Sequence, residues 1–362
     1  MIANSRKQKG LTLVELMIAM VIGLLLLAGT ISMFISNKRV YKEQESMGRL
    51  QENARYALGI MIHDIRMAGY TGCADDDPSK ITNHINGAAG TNLLDFSNAV
   101  EGSESAGKWQ PSNSTDIVSS MLPGTDGISI RFLQDSGLTV LPPYMVNTSS
   151  ALHVSTNNGL YQGEMVGVAD CNSADVFQIT STSPDTSGTV GHNTGTGTPG
   201  NASKNLNRVY LGDAKIVQFI SRRYYIGTGS YGGPSLFREV YSQDKDDSNN
   251  NGNTTEVILH SEELIQGVEN MQILYGEDTA GADKIADVYV TANNVSNWAN
   301  VVSVRIALLF RTIKPNTQLE PDTSTHSLLG GTAAGGATVG PMNDYYRRRV
   351  ITATVQIRNR ST

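Results

Sequence analysis

One uninterrupted apolar run near the amino terminus constrains this 362-residue chain more than any other feature. The run extends from Leu11 to Ile31, and Glu15 is the single ionisable side chain within it. At 1.5 Å per residue, about 20 helical residues cross a hydrocarbon core of roughly 30 Å. The sequence therefore predicts a transmembrane helix that begins directly after a short basic segment.

The segment that precedes this run contains Arg6, Lys7 and Lys9 and ends at Gly10. An ordinary secretory signal has its small-residue cleavage site after a shorter apolar core. Here the apolar core is longer, and Gly10 stands before it. Cleavage after Gly10 would leave the whole helix on the mature protein, with Leu11 as its first residue.

Glu15 needs an explanation because a carboxylate at the centre of a bilayer costs about 2.5–3.5 kcal/mol on insertion scales. We expect its partner to be the positively charged amino terminus of a neighbouring helix of the same kind. The alternative is that Glu15 lies near the membrane interface and extends toward water. Either arrangement reduces the cost of burying the charge.

The segment from Gly10 to Leu16, with the sequence GLTLVEL, resembles the class III leader junction of type IV pilins and type II secretion pseudopilins. The resemblance implies that residues 1–10 are a cytoplasmic leader, which a prepilin peptidase removes by cutting after Gly10. It also implies N-methylation of Leu11 and a role for Glu15 in filament assembly. The chain departs from the family at Leu11, where phenylalanine is usual.

A helical pattern continues beyond the apolar run, because apolar residues recur mostly every three or four positions and no proline occurs up to Tyr70. This pattern predicts one helix of about 60 residues, in which 11–32 span the membrane and an amphipathic half, 33–70, lies on a globular domain. Charged residues, including Asp64, are assigned to the opposite face. The apolar stripe comprises Val40, Met47, Leu50, Ala54, Ala57, Met61, Ile65 and Ala68.

The remaining residues, 71–362, carry strand patterns and are expected to form an extracytoplasmic β-rich domain. Apolar and polar residues alternate most clearly at 302–310, and 216–226 with 236–241 is typical of a hairpin. The predicted fold class is therefore α+β, a long helix packed on an antiparallel sheet with long loops. Further strands are expected at 128–132, 165–167, 176–178, 268–275 and 346–358. Loops are expected at 75–110, 181–206 and 327–341, and the last of these to be mobile.

Later segments resemble PilW-type minor pilins, among them QENARYA at 51–57, GVENM at 267–271 and VVSVR at 301–305. The resemblance implies a structural, non-enzymatic subunit that joins the major pilin and other minor pilins. Together they would prime assembly and form a tip complex that displays a PilY-type adhesin, supporting twitching motility and cell adhesion. Before assembly the chain would lie in the bacterial inner membrane with a cytoplasmic amino terminus, and afterwards at the pilus tip or cell surface. The prepilin peptidase and the inner-membrane assembly platform are further implied partners.

The two cysteines, Cys73 and Cys171, show neither a CxxC motif nor a zinc-ligand spacing. In an oxidising compartment one disulfide is expected, and two buried free thiols are the alternative. The family resemblance supports pairing of the two cysteines.

Two other functions remain open at this point. One is a J-type minor pseudopilin of a type II secretion system, and the other is a membrane-tethered adhesin or enzyme. The distribution of positive charge does not settle the orientation of the helix in the membrane. Lys38, Arg39 and Lys42 follow the apolar run and nearly equal the number of positive charges in the leader. A net charge of −6 argues against nucleic-acid binding as the function, and no cofactor is expected.

Three further motifs have plain structural interpretations. Asp247, Asn249 and Asn251 resemble the start of a calcium loop, but Ile258 occupies position twelve, so a polar loop is preferred over an irregular calcium site. The G-x-G-x-x-G match at 227–232 precedes a strand pattern, not a helix, which indicates a hairpin turn. A solvated face is expected for the basic cluster Arg347, Arg348 and Arg349.

Overall fold

A computed structural model describes residues 12–72, 80–87, 93–94, 98–105, 107–112, 120–243, 257–281, 283–332 and 335–358. These residues form one long helix, two larger β-sheets and two small two-stranded sheets, which confirms the predicted α+β class. The helices are α1 (Leu13–Met67) and α2 (Pro184–Ser187). The strands are β1 (Ile81–Asn83), β2 (Val100–Ser103), β3 (Trp109–Gln110), β4 (Gly127–Thr139), β5 (Leu152–His153), β6 (Met165–Ala169), β7 (Ala174–Gln178), β8 (Thr189–Val190), β9 (Lys215–Thr228), β10 (Pro234–Gln243), β11 (Val257–Gln266), β12 (Val268–Glu277), β13 (Val288–Val290), β14 (Val301–Arg311), β15 (His326–Leu328), β16 (Ala337–Val339) and β17 (Arg348–Gln356).

Helix α1 has 55 residues and is therefore about 80 Å long. Ala68 caps its carboxyl end and donates its N–H to the carbonyl oxygen of Ile65 at 3.2 Å. Gly69 then turns the chain with a φ of +74°, a conformation that a side chain would strain. The prediction of one continuous helix in this region is confirmed.

The larger sheet is organised around β9, which pairs along its length with β4. On its other side β9 is shared, because its first residues pair with β6 and its later residues with β10. Within the described part of the chain the strand order is β1-β7-β6-β9-β4-β2-β3, and β11 forms an edge beyond β10. The predicted hairpin is confirmed as β9–β10, and the glycine-rich segment at 227–232 lies at its turn.

The smaller sheet has the order β13-β12-β14-β17, with antiparallel pairing throughout. One of its faces packs on α1, and the hairpin β15–β16 covers the other. This double coverage explains why β14 is buried on both faces, with Ala307 and Leu309 under the hairpin and Ile306 and Leu308 toward the helix. The predicted loop at 327–341 therefore contains two short strands.

The main core joins α1 to both sheets, so the helix is an integral part of the domain. The predicted stripe is confirmed from Leu50 to Ala68, and Met47 is partly buried against it. Val40 was assigned to the stripe wrongly: it is 48% exposed, because the packed domain begins farther along the helix. From the two sheets the core receives Ile128, Ile130, Phe132, Tyr224, Ile226, Met271, Ile273, Val304, Ile306, Leu308, Phe310 and Val355.

Several assignments differ from the sequence-based expectation, and the loop expected at 181–206 contains α2 and β8. The segment 75–110 was expected to be a loop, yet its described residues include β1, β2 and β3. The prediction also missed β11, whose central residues His260 to Glu263 are polar and interrupt the apolar alternation. An edge strand tolerates such residues because one of its sides is unpaired.

Candidate functional site

The first turn of α1 is closed by reciprocal hydrogen bonds between Thr12 and Glu15. The Glu15 N–H donates to Thr12 Oγ1 at 3.3 Å, and Glu15 Oε2 accepts from the Thr12 N–H at 2.9 Å and from its hydroxyl at 3.0 Å. This capping box satisfies two backbone donors and places a carboxylate at the positive end of the helix dipole. Glu15 is therefore held at the end of the helix where Leu11 would become the amino terminus.

The first half of α1 makes no packing contact that covers it. Every residue from 12 to 42 is exposed, although the segment up to Ile35 is almost entirely apolar. The helix is long and apolar enough to cross a membrane. An apolar surface of this length must be covered by lipid or by other helices. This exposed half of α1 is the candidate functional site.

The second half of α1 is fixed to the larger sheet by a buried polar contact, which we call the Asp64 cluster: Asp64, Arg222 and Tyr224. Arg222 Nη1 donates to both carboxylate oxygens of Asp64, at 2.7 and 2.9 Å. The Tyr224 hydroxyl donates to Asp64 Oδ2 at 2.5 Å. Burial, followed by the negative charge of Asp64, raises the pKa of Tyr224. The cluster therefore fixes the position of α1 relative to β9 along the helix axis.

Asp64 was assigned to the solvated face of the helix, and the structure corrects this assignment. The residue is 1% exposed, because its buried partners neutralise and solvate its charge. The signal was present in the sequence, since Asp64 follows Met61 by three positions and precedes Ala68 by four, on the buried stripe.

The basic cluster at 347–349 was also expected to be a solvated face, and this prediction is wrong for Arg348. Its guanidinium has no exposed surface and donates to Glu269 at 2.6 Å and to Asp344 at 2.6 Å. A further bond at 3.3 Å reaches Asp322. Arg348 therefore joins β17 to β12 and to the loops beside it, while Arg349 is exposed as expected.

Several predicted site residues cannot be placed. Gly10, Leu11 and Cys73 lie outside the described residues, and so do the three candidate calcium ligands Asp247, Asn249 and Asn251. Cys171 is a half-cystine in the structure, although its pairing with Cys73 stays a prediction. Among the described residues, no group of three or more His, Cys, Asp or Glu side chains could hold a metal ion.

Two family models match the chain in the regions that this geometry singles out. The model for the prokaryotic N-terminal methylation motif matches residues 5–31, which include Glu15 and most of the exposed apolar half of α1. The model for type IV pilus-assembly protein W, PilW, matches residues 223–359. In these two regions the chain is similar to PilW-type pilins. No curated protein and no solved structure matches it.

The PilW match begins at Arg223 in β9 and extends past the end of β17. It therefore covers the β10–β11 hairpin and the whole smaller sheet, including Arg348. Tyr224, which holds Asp64, also lies within it. The matched region contains much of the surface on which α1 packs, including β11, β14 and β17, whereas β4, which also contacts α1, lies outside it.

Proposed function

We propose that this chain is a PilW-type pilin that is processed after Gly10, methylated at Leu11 and incorporated into a type IV pilus as a minor subunit. We further propose that it helps to prime assembly and forms part of the tip complex. The observation that carries this proposal is the exposed apolar half of α1, which begins beside Glu15 and lies largely within the matched methylation motif. A helix of this kind suits lateral storage in the membrane and later packing against other pilin helices.

Glu15 would act as the assembly carboxylate. Among the described residues, its carboxylate accepts hydrogen bonds only from Thr12. A neighbouring subunit's positively charged amine would add a charge–charge interaction, which is strong in a medium of low dielectric constant. The incoming subunit would thereby be drawn to the correct height along the filament axis.

The Asp64 cluster supports the same function from the other half of the helix. Because it fixes α1 to the sheet, the height of the globular domain along the helix is set before assembly. Packing of the helices would then place the domains at defined positions, where their surfaces select the other minor pilins, the major pilin and a PilY-type adhesin. Twitching motility and adhesion would depend on that complex.

Mass spectrometry of the mature amino terminus tests processing directly. We expect a chain that begins at Leu11 and carries one methyl group, and we expect Gly10→Val to retain the leader and lose function. Gly48→Val is a matched control, since Gly48 lies in α1 with open space around it. An intact leader, an unmethylated Leu11 or full function of uncut Gly10→Val would contradict the proposal.

A J-type pseudopilin of a type II secretion system would share the leader and Glu15. The match to PilW favours the pilus. Deleting the gene should abolish piliation while secretion of exoproteins continues. The opposite result would assign the chain to secretion.

We also propose the disulfide between Cys73 and Cys171. Its support is that Cys171 is a half-cystine and that the sequence contains no other cysteine besides Cys73. Peptide mapping without reduction should find the two cysteine peptides linked. Free thiols at both positions in exported protein would contradict the pairing.

A further inference from the structure

A groove of about 340 Å³ lies where α1 leaves its exposed half and meets the base of the globular domain. Lys42 and Arg49 of the helix line one wall, and Arg311 and Lys314, from the end of β14 and the loop after it, line the other. The groove is open to solvent at the end of the domain that is nearest to the apolar span. We call it the base groove.

The base groove carries an excess of positive charge that the protein does not neutralise. Arg49 is paired with Glu45 at 2.9 Å, and Arg311 with Glu269 at 3.3 Å. Lys42 and Lys314 make no ion pair with any described residue. Two unpaired cations on opposite walls of one groove favour an anionic ligand between them.

Two more cations extend this charge toward the membrane. Lys38 and Arg39 are exposed and also make no ion pair within the described ranges. They follow the last apolar residues of the span by one helical turn. Among the described residues, the ion pair between this part of the helix and the domain base joins Glu43 to Arg347 at 3.7 Å, and it involves none of these cations.

The distance of the base groove from the apolar span places it close to the lipid headgroups. Lys42 follows Ile35, near the end of the apolar span, by seven residues, which is about 10 Å along the helix. Headgroup layers add roughly 5–8 Å on each side of the hydrocarbon core, and a lysine side chain can reach down toward them. The unpaired lysines are therefore within reach of lipid phosphates.

Exposed apolar side chains at the same level fit an interfacial position. Tyr41 is 69% exposed and Ile313 is 36% exposed. Tyrosine is enriched at membrane interfaces because its ring is apolar and its hydroxyl is polar. The surface around the base groove thus combines cations with apolar side chains, which is typical of a surface that rests on anionic lipid.

We propose that the base groove binds the headgroup of an anionic phospholipid and thereby seats the globular domain on the membrane before assembly. The proposal rests on the membrane anchoring of α1, and it does not require the filament role. Lys42 and Lys314 would hold the phosphate, while Lys38 and Arg39 would contact neighbouring headgroups. Leaving the membrane for the filament would then require release of this lipid.

The test is lipid binding to the full-length chain in neutral detergent, followed by native mass spectrometry during titration with phosphatidylglycerol or phosphatidylcholine. We expect preferential binding of phosphatidylglycerol that weakens at high salt. A lysine near an anionic surface contributes about fivefold in affinity, so the double variant Lys42→Gln/Lys314→Gln should bind about 25-fold more weakly. Far-UV circular dichroism should show that the variant is folded.

The double variant Lys204→Gln/Lys284→Gln removes two exposed lysines from other loops and is the matched control. It should bind phosphatidylglycerol like the wild type. Equal binding of the two lipids, or unchanged binding by the Lys42/Lys314 variant, would overturn the proposal. So would equally potent competition by soluble glycerol phosphate, which would indicate a small-anion site.

Discussion

Replacement of Asp64 by alanine should destabilise the junction between α1 and the larger sheet. Asp64 is 1% exposed and accepts hydrogen bonds from Arg222 and Tyr224. Without it, a guanidinium and a fully buried phenol lose their shared partner. The effect should therefore exceed that of an ordinary surface substitution on the same helix.

The structure sets the size of this effect. Removing one member of a buried ion pair costs about 3–5 kcal/mol, because the other charge remains uncompensated. Arg222 is 24% exposed and can recover some hydration, so we expect the lower end of that range, about 3 kcal/mol. Asp64→Asn keeps one acceptor and should cost less. Tyr224→Phe leaves the ion pair between Asp64 and Arg222 in place and should cost about 1 kcal/mol.

Equilibrium unfolding of the full-length chain in detergent measures these differences through tryptophan fluorescence. The two tryptophans, Trp109 and Trp298, both lie in the globular domain, so they report on its unfolding. Glu52→Ala is the matched control, since Glu52 is an exposed acid on the same helix. If Asp64→Ala and Glu52→Ala unfold at the same denaturant concentration, the Asp64 cluster does not fix the helix.

Two further predictions concern the same core. Burial, and then the nearby charge of Glu104, raises the pKa of Asp126 to about 7. The folded chain therefore keeps a proton that the unfolded chain releases, and the free energy of unfolding should fall by about 3 kcal/mol between pH 5 and pH 8. Unfolding measured across that range should show a shallower fall in Asp126→Asn. An unchanged slope would contradict the raised pKa of Asp126. Met61→Ala should lower the free energy of unfolding by about 2–5 kcal/mol because Met61 is fully buried. Met20→Ala, on the exposed half of α1, should leave unfolding of the domain unchanged. Equal effects of the two substitutions in the same assay would refute this account of the core.

The elements that follow from local pattern could be predicted from the sequence. The helical stripe from Leu50 to Ala68 and the hairpin at β9–β10 depend on residue periodicity and turn chemistry, and both are confirmed. The location of the candidate site also followed from local sequence, since an apolar run with one acid needs no tertiary information.

The errors arise where a distant partner decides the outcome. Asp64 is buried because Arg222, 158 residues away in the sequence, supplies the opposite charge. Arg348 is buried because acids from other elements, including Glu269, converge on it. A charged side chain alone predicts solvent exposure, and only the fold reveals the partner that overrides this preference.

Glu15→Ala tests the central claim most directly, because that claim is that the exposed half of α1 is an intermolecular assembly element. The measurement is the amount of sheared pili from cells that carry the variant as their only copy, with Leu16→Ala as the neighbouring control. At equal protein level and normal processing, we expect Glu15→Ala to lose most pili and Leu16→Ala to retain them. Undiminished piliation with Glu15→Ala would contradict the account.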